Sequence, residues 1–465
     1  YDDADWDHWD THRDMILRDR SINNNLLTFD EMNTFGKKGI GNESTYNAGF
    51  ALTRYIAYKY GSPTLKNIMA ELSNPLQFSI ENAIYNVLGI DGYDLYEDFT
   101  NTINDRYNRL VKPIEVNYVK PNILKDKGTA NLFPVWSPDN NSFLYLSNKD
   151  NDYFGQTDLY IHDFTDSSDK KISGGVFSRP AWNPNGHIVY YSKKPKFPDK
   201  NGSKYYDLYE YHLSTKKEKR ITQSSRAFSP VFVTKDSSIA YLATYDGSQD
   251  IYQLNLKSRE IIKITNFEDR PMLSSLTYNV KDHSLYFDIC TNHYRDIGMI
   301  SLSDTVYKMV LNSPNWDERN LTFTKNGSII YSDDRSGIFN LYLIDTLNQK
   351  QGYLTNVYGG TFMSDISQNG KILYSLYDNG GYKIAMIDSP DIIDESIVGY
   401  SPSYHLKNKE LSDPIVELDT TRSTSYIDQF PNMFVMPKLM IDYGTTKPGF
   451  YFYSSEILDR LSLFG

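Results

Sequence analysis

One pattern recurs six times between residues 129 and 390 of the 465-residue chain and restricts what it can fold into. The clearest copies read FPVWSPDNNSFLYLS at 133–147 and RPAWNPNGHIVYYS at 179–192. A second strand-like element follows in each unit, as in DLYIHDF at 158–164. The anchors of the six units lie 46, 50, 46, 45 and 43 residues apart: Trp136, Trp182, Phe232, Tyr278, Phe323 and Ile366. Four strands in about 45 residues are typical of a β-propeller blade, so the sequence predicts six blades around a channel.

The repeat also resembles a known family. WSPDN…LYLS…TDLYIHDF and WNPNG…VYYS…YDLYEYHL are similar to the TolB-type propeller repeat, which has a tryptophan, Ser-Pro-Asp-Gly, a strand and Asp-(Ile/Leu)-Tyr. The resemblance is strong in the first two units and weaker in the last three. We expect the large aromatics to pack between blades and the aspartates to accept hydrogen bonds from turn amides. These predicted structural positions are Trp136, Trp182, Phe232, Asp158, Asp207 and Asp250.

In residues 1–112 the hydrophobic residues recur with the period of an α-helix instead. In TYNAGFALTRYIAYKYG at 45–61, hydrophobic residues from Ala48 to Ile56 fall on one helix face, and Gly61 provides a stop. Ser62 and Pro63 predict the start of a second helix. Two further helices are predicted before Gly89 and before residue 112. The prediction is four short helices that form a compact α-helical domain, or the second half of one.

Tyr46 is an unexpected residue at the start of such a helix. YNAGFALTRYIAYKYG resembles the helix that follows the zinc site of gluzincin metallopeptidases, the peptidase MA-like and aminopeptidase-like group. WDTHRDMILR at 9–18 and LLTFDEM at 26–32 are similar to the stretch beyond the third zinc ligand of that family. The resemblance implies that Tyr46 faces the site and stabilises an oxyanion. The alternative is a tyrosine that caps a core.

The zinc-binding motif H-E-x-x-H of that family is absent from this sequence. His8 and His12 have the right spacing, but Trp9 stands where the general-base glutamate is needed. We therefore expect no metal site and no cofactor in this chain. If the resemblance holds, the zinc ligands precede Tyr1, and zinc is possible only in a longer, full-length protein. G-x-S-x-G is also absent, which excludes the prolyl oligopeptidase class.

The composition of the chain limits the classes of partner that it can bind. The formal net charge is −11 and no dense run of Lys and Arg occurs, which argues against nucleic acid. The single cysteine, Cys290, excludes an intrachain disulfide framework. No run of 18 apolar residues occurs, so no transmembrane helix is expected. Protein partners that bind the propeller surface are the default expectation.

The C-terminal tail, residues 396–465, begins polar and irregular and then alternates around Phe434 and Leu439. It resembles the first strand region of an outer-membrane barrel, as found after such propellers in some Gram-negative proteins. An ordinary docked tail is the alternative. The predicted fold class is thus multidomain α+β: a helical domain at 1–112, a linker at 113–128, a six-bladed TolB-like propeller at 129–395, and this extended tail.

Two functional hypotheses follow from this organisation. The first is a cell-envelope protein of a Gram-negative bacterium, periplasmic or at the outer membrane, whose propeller binds protein partners or substrates. Its peptidase-like helical domain is then non-catalytic in this chain, because the zinc ligands are missing. The second is the C-terminal portion of an active zinc metallopeptidase whose H-E-x-x-H lies upstream of residue 1. Whether the full-length protein is an enzyme stays open at this point.

Overall fold

The computed structural model describes residues 10–33, 39–291, 294–400, 433–442, 444–455 and 462–464. The chain divides into two compact units, Tyr1–Glu410 and Leu411–Gly465. The first unit holds the helical region and the propeller, and the second holds the tail strands. Among the described residues, no helix is both long enough and apolar enough to span a membrane.

The helical region follows the predicted pattern from its second helix onward. The α-helices are α1 (Thr11–Ile22), α2 (Asn42–Tyr60), α3 (Pro63–Leu72), α4 (Ile80–Leu88), α5 (Gly92–Leu110) and α6 (Lys112–Val116). The four predicted helices correspond to α2–α5. Their apolar faces meet in one core around Ala83, Leu95, Phe99 and Tyr107. Ser79 caps α4 by accepting a hydrogen bond from the amide of Asn82, and Gly89 ends α4 in the left-handed region with φ 71°.

Helix α1 was not predicted, and its burial explains why. Buried residues occur on every side of it, from Thr11 and Asp14 to Ser21, because it lies between the helical core and the propeller. Leu17 packs into the helical core, whereas Met15 and Ile16 pack against propeller residues such as Phe362. A helix enclosed on both sides loses the single apolar stripe that reveals helices in a sequence. Its buried charged residues weaken the hydrophobic pattern of the helix further.

Six four-stranded antiparallel sheets form the propeller, as the repeat predicts. The innermost strands contact one another in a closed ring, in the order β2, β6, β10, β14, β18, β22 and back to β2. Blades one to three comprise β2 (Asn131–Trp136), β3 (Ser142–Ser147), β4 (Asp158–Asp163), β5 (Asp169–Ser173); β6 (Val176–Trp182), β7 (Ile188–Lys193), β8 (Asp207–His212), β9 (Lys217–Arg220); and β10 (Ala227–Val233), β11 (Ser238–Tyr245), β12 (Ser248–Asn255), β13 (Ile261–Lys263).

The remaining blades repeat this plan, with one difference in the last. Blades four to six comprise β14 (Met272–Asn279), β15 (Ser284–Thr291), β16 (Tyr294–Ser301), β17 (Tyr307–Leu311); β18 (Glu318–Phe323), β19 (Ile329–Asp333), β20 (Asn340–Asp345), β21 (Lys350–Tyr353); and β22 (Gly360–Ile366), β23 (Ile372–Asp378), β24 (Gly381–Ile387) with β1 (Asn122–Lys125). Strand β1 lies within residues 113–128, which the sequence suggested as a linker. It pairs antiparallel with β24 and so closes the ring with the chain that enters the propeller.

The large aromatic anchors pack on the blade before their own. The Trp182 indole Nε1 donates to the carbonyl oxygen of Val135 in blade one at 3.3 Å. Phe232 lies 6.0 Å, centroid to centroid, from Tyr190 of blade two. Trp136 belongs to a core with Leu373 and other residues of blade six. Aromatic rings thus fill the gaps between neighbouring blades, where each buries a large apolar area.

The second unit is a small antiparallel sheet of β25 (Phe434–Asp442), β26 (Thr445–Ser455) and β27 (Ser462–Phe464). The predicted alternation around Phe434 and Leu439 therefore falls on a strand. Strands β25 and β26 are fully paired from Phe434–Tyr453 to Asp442–Thr445. Many of their large apolar side chains are exposed to solvent: Phe434, Val435, Met436, Leu439, Met440, Ile441, Phe450, Tyr451, Phe452 and Tyr453.

We expect Trp182→Ala to lower the free energy of unfolding of the first unit by about 3–5 kcal/mol. Trp182 is 8% exposed, and its removal leaves a cavity between blades one and two. Urea unfolding followed by circular dichroism measures the loss. Phe177→Ala is the matched control. Because Phe177 is 48% exposed, this variant should lose much less free energy of unfolding. Equal losses in the two variants would contradict this packing role.

Candidate functional site: the two ends of the propeller channel

The channel wall has the same backbone feature in every blade. Each innermost strand contains a β-bulge that interrupts its register with the next strand. One non-glycine residue at each bulge has a positive φ: Phe133 (51°), Ser178 (70°), Ser229 (48°), Ser275 (47°), Asn320 (57°) and Met363 (56°). The anchor residue follows three or four positions later in each blade. Backbone of this kind is costly for such residues and is concentrated at sites that bind ligands.

These six residues surround a cavity of about 390 Å³ at one end of the channel, and His12 at the start of α1 lines it too. We call it the helix-side cavity. Much of its wall is apolar, and three charged residues, Asp288, Arg295 and Arg319, lie at one side. The His12 ring is 6.4 Å from that of Phe339 and 6.3 Å from that of Phe362, centroid to centroid. Helix α1 therefore contributes directly to this end of the channel.

Burial controls the charges in the helix-side cavity. Desolvation raises the pKa of Asp288 to about 7, although the amide of Asn320 donates to its Oδ1 at 2.9 Å. Desolvation and the Arg319 guanidinium together lower the pKa of His12 to about 4, so this imidazole is neutral at pH 7. Arg319 is paired with Asp317 through its Nε at 3.0 Å. The cavity thus has cationic guanidinium groups beside a neutral histidine.

The other end of the channel has a different chemistry. A cavity of about 320 Å³ is lined there by five of the six predicted anchors, Trp136, Trp182, Phe232, Tyr278 and Phe323, and by several prolines. We call this end the aromatic face. Arg179 and Asp365 form an ion pair of 2.6 Å in its lining, and Asp365 also accepts from the amide of Trp136 at 2.7 Å. One carboxylate thereby joins blades six, one and two.

The predicted aspartates lie away from both cavities. Asp158 Oδ1 accepts from the amide of Gly175 at 3.0 Å, and Asp207 Oδ1 accepts from the amide of Ser225 at 3.0 Å. Asp250 Oδ1 accepts from the amide of Phe267 at 3.1 Å. Asp158 and Asp207 begin the third strand of their blades, and Asp250 lies at the third position of β12. Each carboxylate accepts from an amide in the connection to the next blade. They hold neighbouring blades together and do not form a site.

The structure places Tyr46 in the second turn of α2, because that helix begins at Asn42, earlier than the sequence suggested. Its side chain is 56% exposed, while Thr45 and Asn47 beside it are buried. Its catalytic role stays a prediction.

His8 and Trp9 lie outside the described residues. In the part of the chain that the structure describes, no three His, Cys, Asp or Glu side chains cluster as metal ligands would.

Sequence reasoning missed the helix-side cavity. Arg295 and Arg319 belong to different blades, and the repeat aligns neither with a common motif. One signal was present: a serine or asparagine stands three or four residues before the anchor in four units, at Ser178, Ser229, Ser275 and Asn320. Small polar side chains tolerate local strain and can bond nearby backbone groups. The lining role of His12 had no signal, because it depends on how α1 docks.

No family model matches the chain. A protein named Tol-Pal system protein TolB from Ruthia magnifica subsp. Calyptogena magnifica is 37% identical over 103 residues, 22% of this chain and 22% of that protein. A protein of the same name from Francisella tularensis subsp. tularensis (strain WY96-3418) is 27% identical over 206 residues, 42% of this chain and 45% of that protein. The chain therefore spans less than half the length of either relative.

Solved structures to which this chain is similar include TolB from Acinetobacter baumannii, with 16% identity and a TM-score of 0.40 over 66% of this chain and 73% of that one. A putative TolB from Agrobacterium tumefaciens has 15% identity and a TM-score of 0.42 over 56% and 91%. The strand pairing described above defines the fold as six antiparallel blades in a closed ring. With that pairing and these sequence relatives, the chain has a helical region followed by a TolB-like six-bladed propeller.

We expect Asp288→Asn to remove a pH dependence of stability. A folded-state pKa of about 7 exceeds the ordinary value, so the folded protein keeps a proton that the unfolded chain has lost. The contribution to the free energy of unfolding is therefore fully present below about pH 4 and falls by about 1.4 kcal/mol per pH unit up to about pH 7. Asparagine does not titrate, so the variant should lack this slope.

Urea unfolding between pH 4.5 and pH 7.5 (roughly the interval between the two pKa values) provides the measurement. Asp269→Asn is the control, because Asp269 is exposed in a loop. Parallel pH profiles for Asp288→Asn and the unchanged protein would show that the Asp288 carboxyl is not held protonated in the fold.

Proposed function

We propose that this chain is part of a cell-envelope protein whose propeller binds a protein partner through the aromatic face. The single observation that carries this proposal is the group of large aromatic residues at one channel end, around an open cavity of about 320 Å³. Phe232, Tyr278 and Phe323 are only partly buried there. Aromatic side chains in a concave, partly dry setting are typical of the centres of protein interfaces.

The relatives support the same function. Both carry the name Tol-Pal system protein TolB, which associates them with a system of several proteins. We propose by analogy that the partner is a protein of the Tol-Pal system and that the location is the envelope of a Gram-negative bacterium, in the periplasm or at the outer-membrane surface. The exposed apolar strands β25 and β26 favour association of the tail with the outer membrane. Cell fractionation tests the location.

Phe323→Ala should weaken the binding of Tol-Pal proteins from the same organism by about tenfold or more, because truncation of a central aromatic typically costs more than about 1.4 kcal/mol. Isothermal titration calorimetry with the purified proteins measures the affinity, and thermal unfolding verifies that the variant is folded. Phe197→Ala is the control: Phe197 is strongly exposed and lies outside both channel ends. Unchanged affinity in Phe323→Ala would remove the aromatic face from the interface.

A second candidate function concerns the helical region. We propose that α1–α5 correspond to the C-terminal part of a gluzincin-like peptidase domain, non-catalytic in this chain; the alternative is an active zinc metallopeptidase whose H-E-x-x-H precedes residue 1. The exposed position of Tyr46 favours a role beyond packing, since its 56% exposed side chain fills no core. In an active enzyme its phenol could donate a hydrogen bond to the oxygen on which negative charge develops.

Tyr46→Phe in the full-length protein tests this candidate. The variant should keep its melting temperature and metal content, since the ring is retained and only the hydroxyl oxygen is removed, but peptidase turnover should fall about 10²–10³-fold. Peptide hydrolysis and metal analysis measure the two effects. Tyr58→Phe is the control, because Tyr58 is another exposed tyrosine of α2. A full-length protein without zinc or hydrolysis leaves only the non-catalytic alternative.

A further inference from the structure

In the helix-side cavity, the described residues provide no hydrogen-bond partner for one guanidinium group, that of Arg295. Within the described residues, the Arg295 guanidinium donates no hydrogen bond and forms no ion pair, although its backbone amide donates to Asp317 Oδ1 at 2.9 Å. Arg295 and Arg319 both line this cavity, and the Arg319 guanidinium and burial lower the pKa of Arg295, whereas Asp317 and Asp288 raise it. Two like charges in a partly desolvated place repel each other unless an anion joins them.

The carboxyl groups of this region compensate the charge of Arg295 only in part, because its pKa stays lowered although Asp317 and Asp288 raise it. Asp317 is already engaged, since its Oδ2 accepts from the Arg319 guanidinium and its Oδ1 from the Arg295 amide. Burial raises the pKa of the Asp288 carboxyl to about 7, which weakens the negative charge that it offers the arginines near neutral pH. The His12 imidazole is neutral at that pH. A bound anion would find two guanidinium groups in the cavity wall, and their planar donors suit a carboxylate.

The rest of the cavity is suited to an apolar group. Its wall includes Phe133, Phe154, Phe177, Phe228 and Phe362. The volume of about 390 Å³ falls within the range of about 300–1,000 Å³ that is common for small-molecule sites. Helix α1 packs over blades five and six, against Phe339 and Phe362, whereas Phe177 at blade two is 48% exposed. Among the described residues, the wall of the cavity is therefore exposed to solvent at Phe177, on the side of blade two.

We propose that the helix-side cavity binds a small aromatic carboxylate, with the carboxylate between Arg295 and Arg319 and the ring against the phenylalanines. This site is independent of the aromatic face at the other channel end, so it neither requires nor excludes the protein partner proposed above. The two arginines supply the charge recognition, and the ring of bulges positions the apolar wall. The ligand class follows from these two kinds of wall.

Isothermal titration calorimetry with 3-phenylpropanoate and its uncharged amide tests the proposal on the unchanged protein. The acid should bind, and the amide should bind at least about tenfold more weakly, because it lacks the charge that two guanidinium groups recognise. Equal affinities, or no binding of the acid at millimolar concentration, would overturn the proposal. So would inorganic phosphate that binds as tightly as the acid, since the phenylalanine wall would then contribute nothing.

Arg295→Gln adds a test of the residue itself. The variant should bind 3-phenylpropanoate at least about tenfold more weakly. Without ligand, its melting temperature should equal or exceed that of the unchanged protein, because the repulsion between two cations is removed. Arg109→Gln is the matched control, because Arg109 is exposed on α5 and lies outside the cavity. A lower melting temperature with unchanged affinity would make Arg295 a structural residue and contradict the proposed role. If Arg295→Gln does not fold, the comparison of acid and amide still decides.

Discussion

The buried ion pair between Arg18 and Asp14 joins the two halves of the first unit. Both side chains are 0% exposed, and the pair lies one turn apart on α1. Arg18 also donates to the carbonyl oxygens of Tyr358 and Gly359, just before the innermost strand of blade six, at 2.5 and 2.8 Å. Asp14 accepts from the Tyr107 hydroxyl of α5 at 2.8 Å. Removal of either partner would leave a buried charge, at a cost of about 3–5 kcal/mol, so the helical region cannot separate easily from the propeller.

Ring closure reinforces this junction. The chain leaves the helices through α6 and then forms β1, the outermost strand of blade six. Asp19 of α1 accepts from the amides of Asn379 and Gly380, in the turn between the last two strands of the same blade. Blade six is therefore bound to the helical region both by the chain itself and by α1. Because α1 is fixed in this way, His12 has a fixed place at the helix-side cavity.

A residue's place in the fold can be predicted from the sequence where its environment repeats along the chain. The blades were predictable, because each anchor sits in the same gap between blades and the turns recur at a fixed spacing. Helices α2–α5 were predictable, since each shows one apolar face. Helix α1 was not, because two different surfaces cover it. Arg295 and Arg319 line the same cavity only through the curvature of the ring, which no local pattern encodes.

The two channel ends differ in chemistry, and this difference has a physical origin. All six innermost strands run in the same direction through the ring, so the bulge residues line one end and five of the six anchors line the other. The anchors must be large in order to fill the gaps between blades, which makes their end aromatic. At the opposite end α1 covers part of the opening, and its docking encloses charged groups. The Arg179–Asp365 ion pair lies in the lining between the innermost strands. A ligand at one end and a protein at the other would therefore meet different walls and need not compete.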